Sequence, residues 1–321
     1  MKRLLRTLVL AAATIPVAFA QSYPSKPVRL VIPFAAGGGP DVQARQFGQK
    51  LAELTGQPVI TENKVGAAGV IAAQYVAQAP ADGYTLLLGS VTPIVQRHLA
   101  PDLKFDPIAA FAPITNMVTT PTVLTVRADH PAKTAAELAA LAKAASGRMN
   151  YGSGGIGTAA HLAGATFAAL AGFTAAHIPL KGSVEIQASL LRGDTDFAIP
   201  IAGTAIPAVR AGKLRALGVT SAKRMPSLPD VPTMRELFKD ELYVQESWYG
   251  LWAPAKTPPN VVRAMHALAV KVLADPALQK LFDATGGLTD PSESPAAYAD
   301  FIKKEEEKWA RIVKLAGARR D

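Results

Sequence analysis

The sequence predicts an α/β protein built from two lobes, and three observations lead to this prediction. Segments typical of strands and helices alternate along most of the 321 residues, which indicates sheets covered by helices. Two long extended segments, Thr120–Val126 and Tyr243–Ala253, divide this alternation and predict two strands that cross between the lobes. Glycine-rich turns follow several strands, at the place where open α/β sheets bind their ligands.

The composition is that of a packed globular protein. Hydrophobic residues make up 49% and charged residues 18% of the sequence, and the length is sufficient for two domains. The formal net charge of +9 includes three basic residues near the N-terminus, so +6 remains when that segment is removed. The basic residues are scattered and are not interleaved with aromatic residues, which excludes a nucleic-acid groove.

The N-terminus predicts a cleavable export signal at residues 1–20. Three basic residues precede Leu8–Val17, an apolar core too short to be a stable membrane anchor, and Ala18–Ala20 is a typical cleavage site. We therefore expect the mature protein to begin near Gln21 and to reach the periplasm. The chain contains no cysteine, which excludes disulfides, thiol catalysis and a lipid anchor on cysteine.

The first half of the chain predicts a parallel sheet. Its segments, in order, are the strand Arg29–Pro33, the helix Asp41–Leu54 with Gly56 as its end, the strand Val59–Glu62, the helix Val70–Gln78, the strand Tyr84–Gly89 and the loop Ser90–Pro93. Each strand is followed by a loop that contains glycine or proline. We expect these loops at the carboxyl edge of the sheet.

The second half repeats this alternation. Its segments are the helix Ala135–Ala145, the strand Met149–Tyr151, a helix after Thr158, the strand Ala175–Leu180, the helix Val184–Arg192, the strands Asp196–Ile199 and Ala216–Ser221, and the surface loop Lys223–Pro232. Three amphipathic helices close the chain, at Pro259–Ala274, Pro276–Ala284 and Pro295–Leu315. The second crossing predicts that these helices return to the first lobe.

Two glycine-rich turns are the strongest functional signal. A short strand leads into Gly152–Gly157, and Thr158 is a suitable cap for the helix that follows. Such a turn leaves backbone N–H groups free at the positive end of a helix dipole, which favours a carboxylate or phosphate. A similar turn, Gly37–Gly39 with Asp41, follows the first strand. Together they predict a cleft that holds a small acid from both sides.

Enzyme and metal sites have weaker support. Gly152–Gly157 fits the dinucleotide pattern G-x-G-x-x-G, but the next strand ends without an acidic residue for a ribose. An exported oxidoreductase with a tightly held dinucleotide stays open as an alternative. Tyr151 stands two residues before Ser153, so the serine-hydrolase pattern G-x-S-x-G fails. No metal or other cofactor is expected, because metal-ligand spacing is absent at His98, His130, His177 and His266.

A series of short motifs resembles one family. The motifs are Tyr23–Arg29, Val31–Phe34 with Gly37, Gly38 and Asp41, Glu62–Lys64 with Gly66, Ala67 and Gly69, Ala81–Leu86, Tyr151–Ala163, Lys181–Gly182, Arg192–Asp196, Arg224–Thr233, and Trp248–Gly250 with Ala253 and Pro254. They span essentially the whole mature chain. Because these motifs occur together in this order, the chain resembles the Bug/TctC family of extracytoplasmic solute receptors. These receptors are the binding components of tripartite tricarboxylate transporters.

The resemblance implies a fold similar to type II periplasmic binding proteins, in which two α/β lobes close over a ligand in the cleft between them. It places one lobe at residues 21–122 and 246–321 and the other at residues 123–245. It implies a monomeric receptor, not an enzyme, for a di- or tricarboxylate, an acidic amino acid or an aromatic carboxylate. The partner would be a membrane permease or, as an alternative, the sensor kinase of a two-component system.

The resemblance also implies a set of ligand contacts. These are Phe34, Ala35, Gly37, Gly38 and Asp41 in the first loop, Gly66 and Ala67 in the second, Ser90, Val91 and Thr92 in the third, and Ser153, Gly154, Thr158, His161, Lys181 and Asp196 in the other lobe. For several of them a purely structural role stays open. Asp41 can serve the helix dipole alone, His161 can be an ordinary buried histidine, and Lys181 can be a surface lysine.

Overall fold

A computed structural model describes residues 23–99 and 105–317 of the chain. The predicted export signal and its cleavage site lie outside the described residues. Within the described residues, no helix has both the length and the apolar character needed to cross a membrane.

The described strands, in chain order, are β1 (Val28–Ile32), β2 (Val59–Asn63), β3 (Thr85–Ser90), β4 (Phe111–Pro121), β5 (Val123–Arg127), β6 (Asn150–Ser153), β7 (Ala176–Pro179), β8 (Phe197–Ala198), β9 (Leu214–Val219), β10 (Glu246–Pro254) and β11 (Leu288–Thr289). The described helices are α1 (Gly39–Thr55), α2 (Val70–Ala77), α3 (Val91–Leu99), α4 (Ala135–Ala144), α5 (Ala159–Ala171), α6 (Ser183–Arg192), α7 (Ala202–Arg210), α8 (Met234–Phe238), α9 (Pro259–Leu273), α10 (Pro276–Ala284) and α11 (Pro295–Ala316).

The strands form two separate sheets, which confirms the two-lobed α/β fold. The first sheet has the order β11-β4-β10-β3-β1-β2 and the second the order β7-β6-β8-β5-β9. The strands β1, β2 and β3 are parallel, as predicted, and so are β6, β7 and β8. Each sheet is nevertheless mixed, because β4, β5, β9 and β10 pair antiparallel with their neighbours.

The chain crosses between the sheets twice. The predicted extended segment Thr120–Val126 is divided at Thr122, since β4 belongs to the first sheet and β5 to the second. The return crossing lies at Gln245, immediately before β10. Thr220 ties the two crossings together: its hydroxyl accepts the N–H of Thr122 at 3.0 Å and donates to the carbonyl of Gln245. The crossings therefore lie side by side.

Most predicted helices and strands are present, with ends within two residues of the prediction. The loop predicted at Ser90–Pro93 is wrong, because α3 begins directly after β3. Pro93 suggested a loop, but it lies in the first turn of α3, where the missing N–H of proline has no helical partner to lose. The sequence also did not predict α7, which contains Pro207.

The three C-terminal helices return to the first sheet, as predicted. Helix α9 packs against β4 and α1, while α11 packs against β4 and α3 and also contacts α5 of the second lobe. Buried Trp248 on β10 and Trp309 on α11 both donate their indole N–H to Glu305, at 3.0 and 2.9 Å. This carboxylate therefore fixes α11 to β10, the strand that follows the second crossing.

Candidate functional site

The carboxyl edges of the two sheets face each other across a cleft. Because β1, β2 and β3 are parallel, the loops after them lie at one edge, and the same holds for β6, β7 and β8. The two edges meet where the Gln96 side-chain amide of α3 donates to the carbonyl of Ile156 at 3.2 Å. Gly157 allows this approach, because a Cβ there would lie 2.4 Å from Nε2 of Gln96.

The first loop, residues 33–38, leads from β1 into an uncapped helix. Phe34 packs edge-on against Tyr249, with ring centroids 5.3 Å apart, while Ala35 is exposed. Gly37 has a φ of 79°, which glycine adopts without strain. Gly38 stands at the N-cap of α1 and no side chain caps the helix. The positive end of α1 is thus available at the cleft.

Asp41 holds the first loop in place through its buried carboxylate, which is 2% exposed. It accepts hydrogen bonds from the N–H of Gly37 at 2.9 Å, Nε of Arg45 at 3.0 Å and Nδ2 of Asn63 at 2.7 Å. Burial alone would raise the pKa of Asp41, but these three bonds and the Arg45 charge outweigh burial and lower it. The side chain is therefore fully engaged and shapes the loop from behind.

The second loop has an unusual backbone. Gly66 has a φ of 137°, and Ala67, which opens a short 3-10 turn at Ala67–Gly69, has a φ of 44°. Positive φ is uncommon for alanine and is concentrated at functional sites. A Cβ on Gly69 would lie 3.2 Å from Pro33 and 3.6 Å from Pro93, so this turn packs between β1 and α3.

The third predicted loop is the junction of β3 and α3. Ser90 is 1% exposed and its hydroxyl has no hydrogen-bond partner within the described residues. Ser90 stands opposite Tyr249 of β10 in the antiparallel pairing, and the ring of Tyr249 packs against Phe34 of the first loop. Val91 is buried and Thr92 is half-buried. A buried hydroxyl without a partner costs about 1–3 kcal/mol, so Ser90 is the side chain of this edge most suited to a bound polar group.

The glycine loop after β6 is shaped by its own side chains. The predicted cap is confirmed: Thr158 accepts the N–H of His161 at 3.4 Å, and it donates to the carbonyl of Gly155 at 2.8 Å. The hydroxyl of buried Ser153 lies 2.6 Å from Nε2 of His177. Nδ1 of His161 accepts the N–H of Gly157 at 3.1 Å. These side chains are engaged with the loop itself, while the N–H of Gly154 has no partner within the described residues.

The structure separates the last two predicted contacts. Lys181 follows β7 at the same edge as Ser153, and it is exposed, with no ion pair to any residue that the structure describes. Asp196 instead accepts the N–H of Asn150 at 2.7 Å, at the opposite end of β6. Three residues of strand separate that end from Ser153, roughly 10 Å. Asp196 therefore lies at the amino edge of the sheet, and the prediction that it faces the cleft is wrong.

Sequence reasoning missed several residues of the cleft. Gln96 joins the two edges, Tyr249 supports Phe34, and His177 binds Ser153. It also missed α7, whose N-cap residue Ile201 has no side chain that can cap the helix. The Cδ1 atom of Ile201 lies close to Gly39, 3.8 Å from where a Cβ on that glycine would be. No spacing in the sequence signals these neighbours, because they come from separate strands and helices. The uncapped starts of α1 and α7 thus meet across the cleft.

The electrostatics of the cleft favour an anion. Two uncapped helix N-termini supply partial positive charge, and the carboxylate of Asp41 is compensated by Arg45. In the described part of the chain, no group of three or more His, Asp or Glu side chains is arranged to hold a metal ion.

Comparisons with known proteins agree with this geometry. Residues 43–318 match the family described as "Tripartite tricarboxylate transporter family receptor", TctC. BugT of Bordetella pertussis is 32% identical to this chain, and the alignment covers 99% of each protein. The structure of R. palustris Rpa4515 with adipate is 30% identical and has a TM-score of 0.85, covering 92% of this chain and 99% of its own.

A second solved structure shows the same likeness. MatC (Rpa3494) from Rhodopseudomonas palustris with bound malate is 29% identical to this chain, with a TM-score of 0.81. The match covers 91% of this chain and 100% of MatC. The family match at residues 43–318 begins inside α1 and includes both crossings, the second sheet and the strands of the first sheet from β2 onward. The chain therefore belongs to the TctC family, the Bug-type periplasmic solute-binding receptors of tripartite tricarboxylate transport.

Proposed function

We propose that this receptor captures a small carboxylate-bearing ligand in the cleft and delivers it to a permease of the tripartite tricarboxylate type. The observation that carries the proposal is that the uncapped N-terminus of α1 lies at the same sheet edge as the buried hydroxyl of Ser90, which has no partner among the described residues. Both are hydrogen-bond donors suited to a carboxylate, and the nearby Asp41 carboxylate is compensated by Arg45. Relatives that are described with adipate and malate support the same class of ligand.

The proposed mechanism is closure of the two lobes over the ligand. A ligand that contacts both edges binds the closed arrangement better than the open one and shifts the population toward it. The crossings at Thr122 and Gln245, joined through Thr220, are suited to act as the hinge. The limits proposed for the lobes, residues 21–122 with 246–321 and residues 123–245, are supported by the membership of the strands in the two sheets.

The proposal includes export and a non-catalytic role. Residues 1–20 would direct the chain to the periplasm and be removed there, and the receptor would act as a monomer. A dinucleotide fits the glycine loop poorly, because the position above Gly157 is filled by Gln96 and Leu99 of the other lobe. The N–H groups of Gly155 and Gly157 are also already bonded.

The test is a binding experiment on the mature protein purified from the periplasm. Native mass spectrometry identifies any acid that is carried through purification, and thermal-shift and calorimetric titrations compare adipate and malate with the uncharged adipamide. We expect stabilisation by at least one carboxylate and none by adipamide. No stabilisation by any di- or tricarboxylate, acidic amino acid or aromatic acid would contradict the proposal.

Two variants locate the site. Ser90→Ala should weaken binding of the stabilising carboxylate about tenfold, since a hydrogen bond to a charged group contributes about 1.5–3 kcal/mol. Thr166→Val is the matched control, because it removes another buried, unpartnered hydroxyl, on α5 away from the cleft. Equal affinity of both variants and the wild type would place the carboxylate elsewhere.

A further inference from the structure

Two histidines lie directly beneath the glycine loop that joins β6 to α5. We call His161 on α5 and His177 on β7 the histidine pair. Their ring centroids are 4.0 Å apart, and the ring of Tyr151 packs beside both, at 6.4 Å from His161 and 5.1 Å from His177. His161 is 7% exposed. The ligand capture proposed above uses neither imidazole directly.

Each imidazole ties down one end of the loop. At its start, Nε2 of His177 lies 2.6 Å from the Ser153 hydroxyl, which also accepts the N–H of Gly155 at 3.1 Å. At its end, Nδ1 of His161 accepts the N–H of Gly157 at 3.1 Å. A backbone N–H can only donate, so Nδ1 of His161 carries no proton and the ring is uncharged.

These bonds sort the N–H groups of the loop into two alternating sets. The N–H groups of Gly155 and Gly157 are held by side chains beneath the loop. Those of Gly154 and Ile156 have no partner within the described residues. Gly155 and Gly157 have φ values of 114° and 79°, so the backbone alone would permit many other arrangements. The side chains beneath the loop are what select this one.

We propose that the histidine pair positions the ligand loop: uncharged His161 holds the N–H of Gly157 directly, His177 holds that of Gly155 through the Ser153 hydroxyl, and the N–H groups of Gly154 and Ile156 are left for an anion in the cleft. His161 and His177 are thus positioning residues that do not touch the ligand. This inference rests on the proposed function, because it assigns a ligand role to the glycine loop.

The uncharged state is the stable one at neutral pH. Burial, followed by the neighbouring His177, lowers the pKa of His161 to about 4, and burial lowers the pKa of His177 to about 4. Among the described residues, the titratable groups that pack against each imidazole are Tyr151 on β6 and the other histidine of the pair. Protonation of Nδ1 of His161 would replace the acceptor of the Gly157 N–H with a second donor and open the loop.

The experiment compares two substitutions of the same residue in the full mature protein. His161→Ala removes the acceptor, whereas His161→Asn keeps a side-chain oxygen near the position of Nδ1. Amide hydrogen exchange at pH 7, followed by NMR on the free protein, should be about tenfold faster at Gly157 in His161→Ala and near the wild-type rate in His161→Asn. Equal Gly157 exchange in all three proteins would overturn the proposal.

A second readout separates positioning from overall stability. Calorimetric titration with adipate should show affinity lowered in His161→Ala and restored in His161→Asn. Faster Gly157 exchange with unchanged adipate affinity would also overturn the proposal, because the loop would then not serve the anion. Failure of the wild type to bind any carboxylate would refute the proposed function instead, while the exchange rates would still decide whether His161 positions the loop.

Discussion

Lowering the pH from 7 to 4 should destabilise the wild-type protein more than the His161→Asn variant. Burial, and next the charge of His177, lowers the pKa of His161 from the ordinary value of 6.5 to about 4 in the folded protein. The unfolded chain regains the ordinary value. Between these two pKa values the unfolded state binds a proton that the folded state does not bind.

The sign and size of the effect follow from this difference. The stabilising contribution of uncharged His161 is fully present above pH 6.5, falls as the pH drops toward about 4, and changes no further below that. At 1.36 kcal/mol per pKa unit the difference corresponds to at most about 3 kcal/mol. We expect about 1–2 kcal/mol, because His177 titrates in the same range and shares the effect.

The assay is urea unfolding followed by tryptophan fluorescence at a series of pH values. The three tryptophans of the chain, Trp248, Trp252 and Trp309, are all buried in the folded protein and report its unfolding. Carboxylates destabilise both proteins alike in acid, so the difference between the two curves isolates His161. Parallel pH profiles for wild type and variant would refute the reasoning, since the imidazole would then contribute nothing to acid sensitivity.

Two further predictions concern buried carboxylates. Asp41→Ala should lower the free energy of unfolding, measured with urea, by about 1–3 kcal/mol, because Asn63 and the Gly37 N–H lose their acceptor. The control is Glu53→Ala, which removes an exposed carboxylate near the end of α1. An equal loss of stability in the two variants would contradict this explanation. Glu305→Ala should cost about 2–4 kcal/mol, as two buried indole N–H groups lose their acceptor. Glu305→Gln keeps one oxygen and should cost less; similar losses for both would refute the indole explanation.

Much of the fold could be predicted because local patterns determine it. The alternation of strands and helices, the end of α1 at Gly56 and the cap at Thr158 depend on residues close together in the sequence. The mixed character of the sheets could not be predicted in this way. It depends on which strands the two crossings place next to β3 and β8: β10 follows β3 by more than a hundred residues, and β5 comes well before β8 in the chain, with three helices and two strands between them.

The candidate site was predictable as a set of loops but not as a set of side-chain roles. The glycine pattern predicted free backbone N–H groups in these loops; α1 has no capping side chain, whereas Thr158 caps α5. It could not show that the Asp41 carboxylate is already bound by Arg45 and Asn63, or that Asp196 lies at the amino end of β6. Both facts depend on pairing between strands, where a shift of a few residues moves a side chain to the other edge of a sheet.

If the cleft binds acids as proposed, the polar groups described in it would do so mainly as uncharged donors. On the proposed function, the donors are the N-termini of α1 and α7, the N–H groups of Gly154 and Ile156, and the Ser90 hydroxyl. Fixed N–H donors are held by the fold and need no reorganisation when the ligand arrives, whereas a flexible lysine such as Lys181 must lose side-chain freedom. Selectivity among acids would then depend on the spacing of these donors across the closed cleft. Because the histidine pair sets that spacing on one side, a change at His161 should alter which acid binds as well as how tightly.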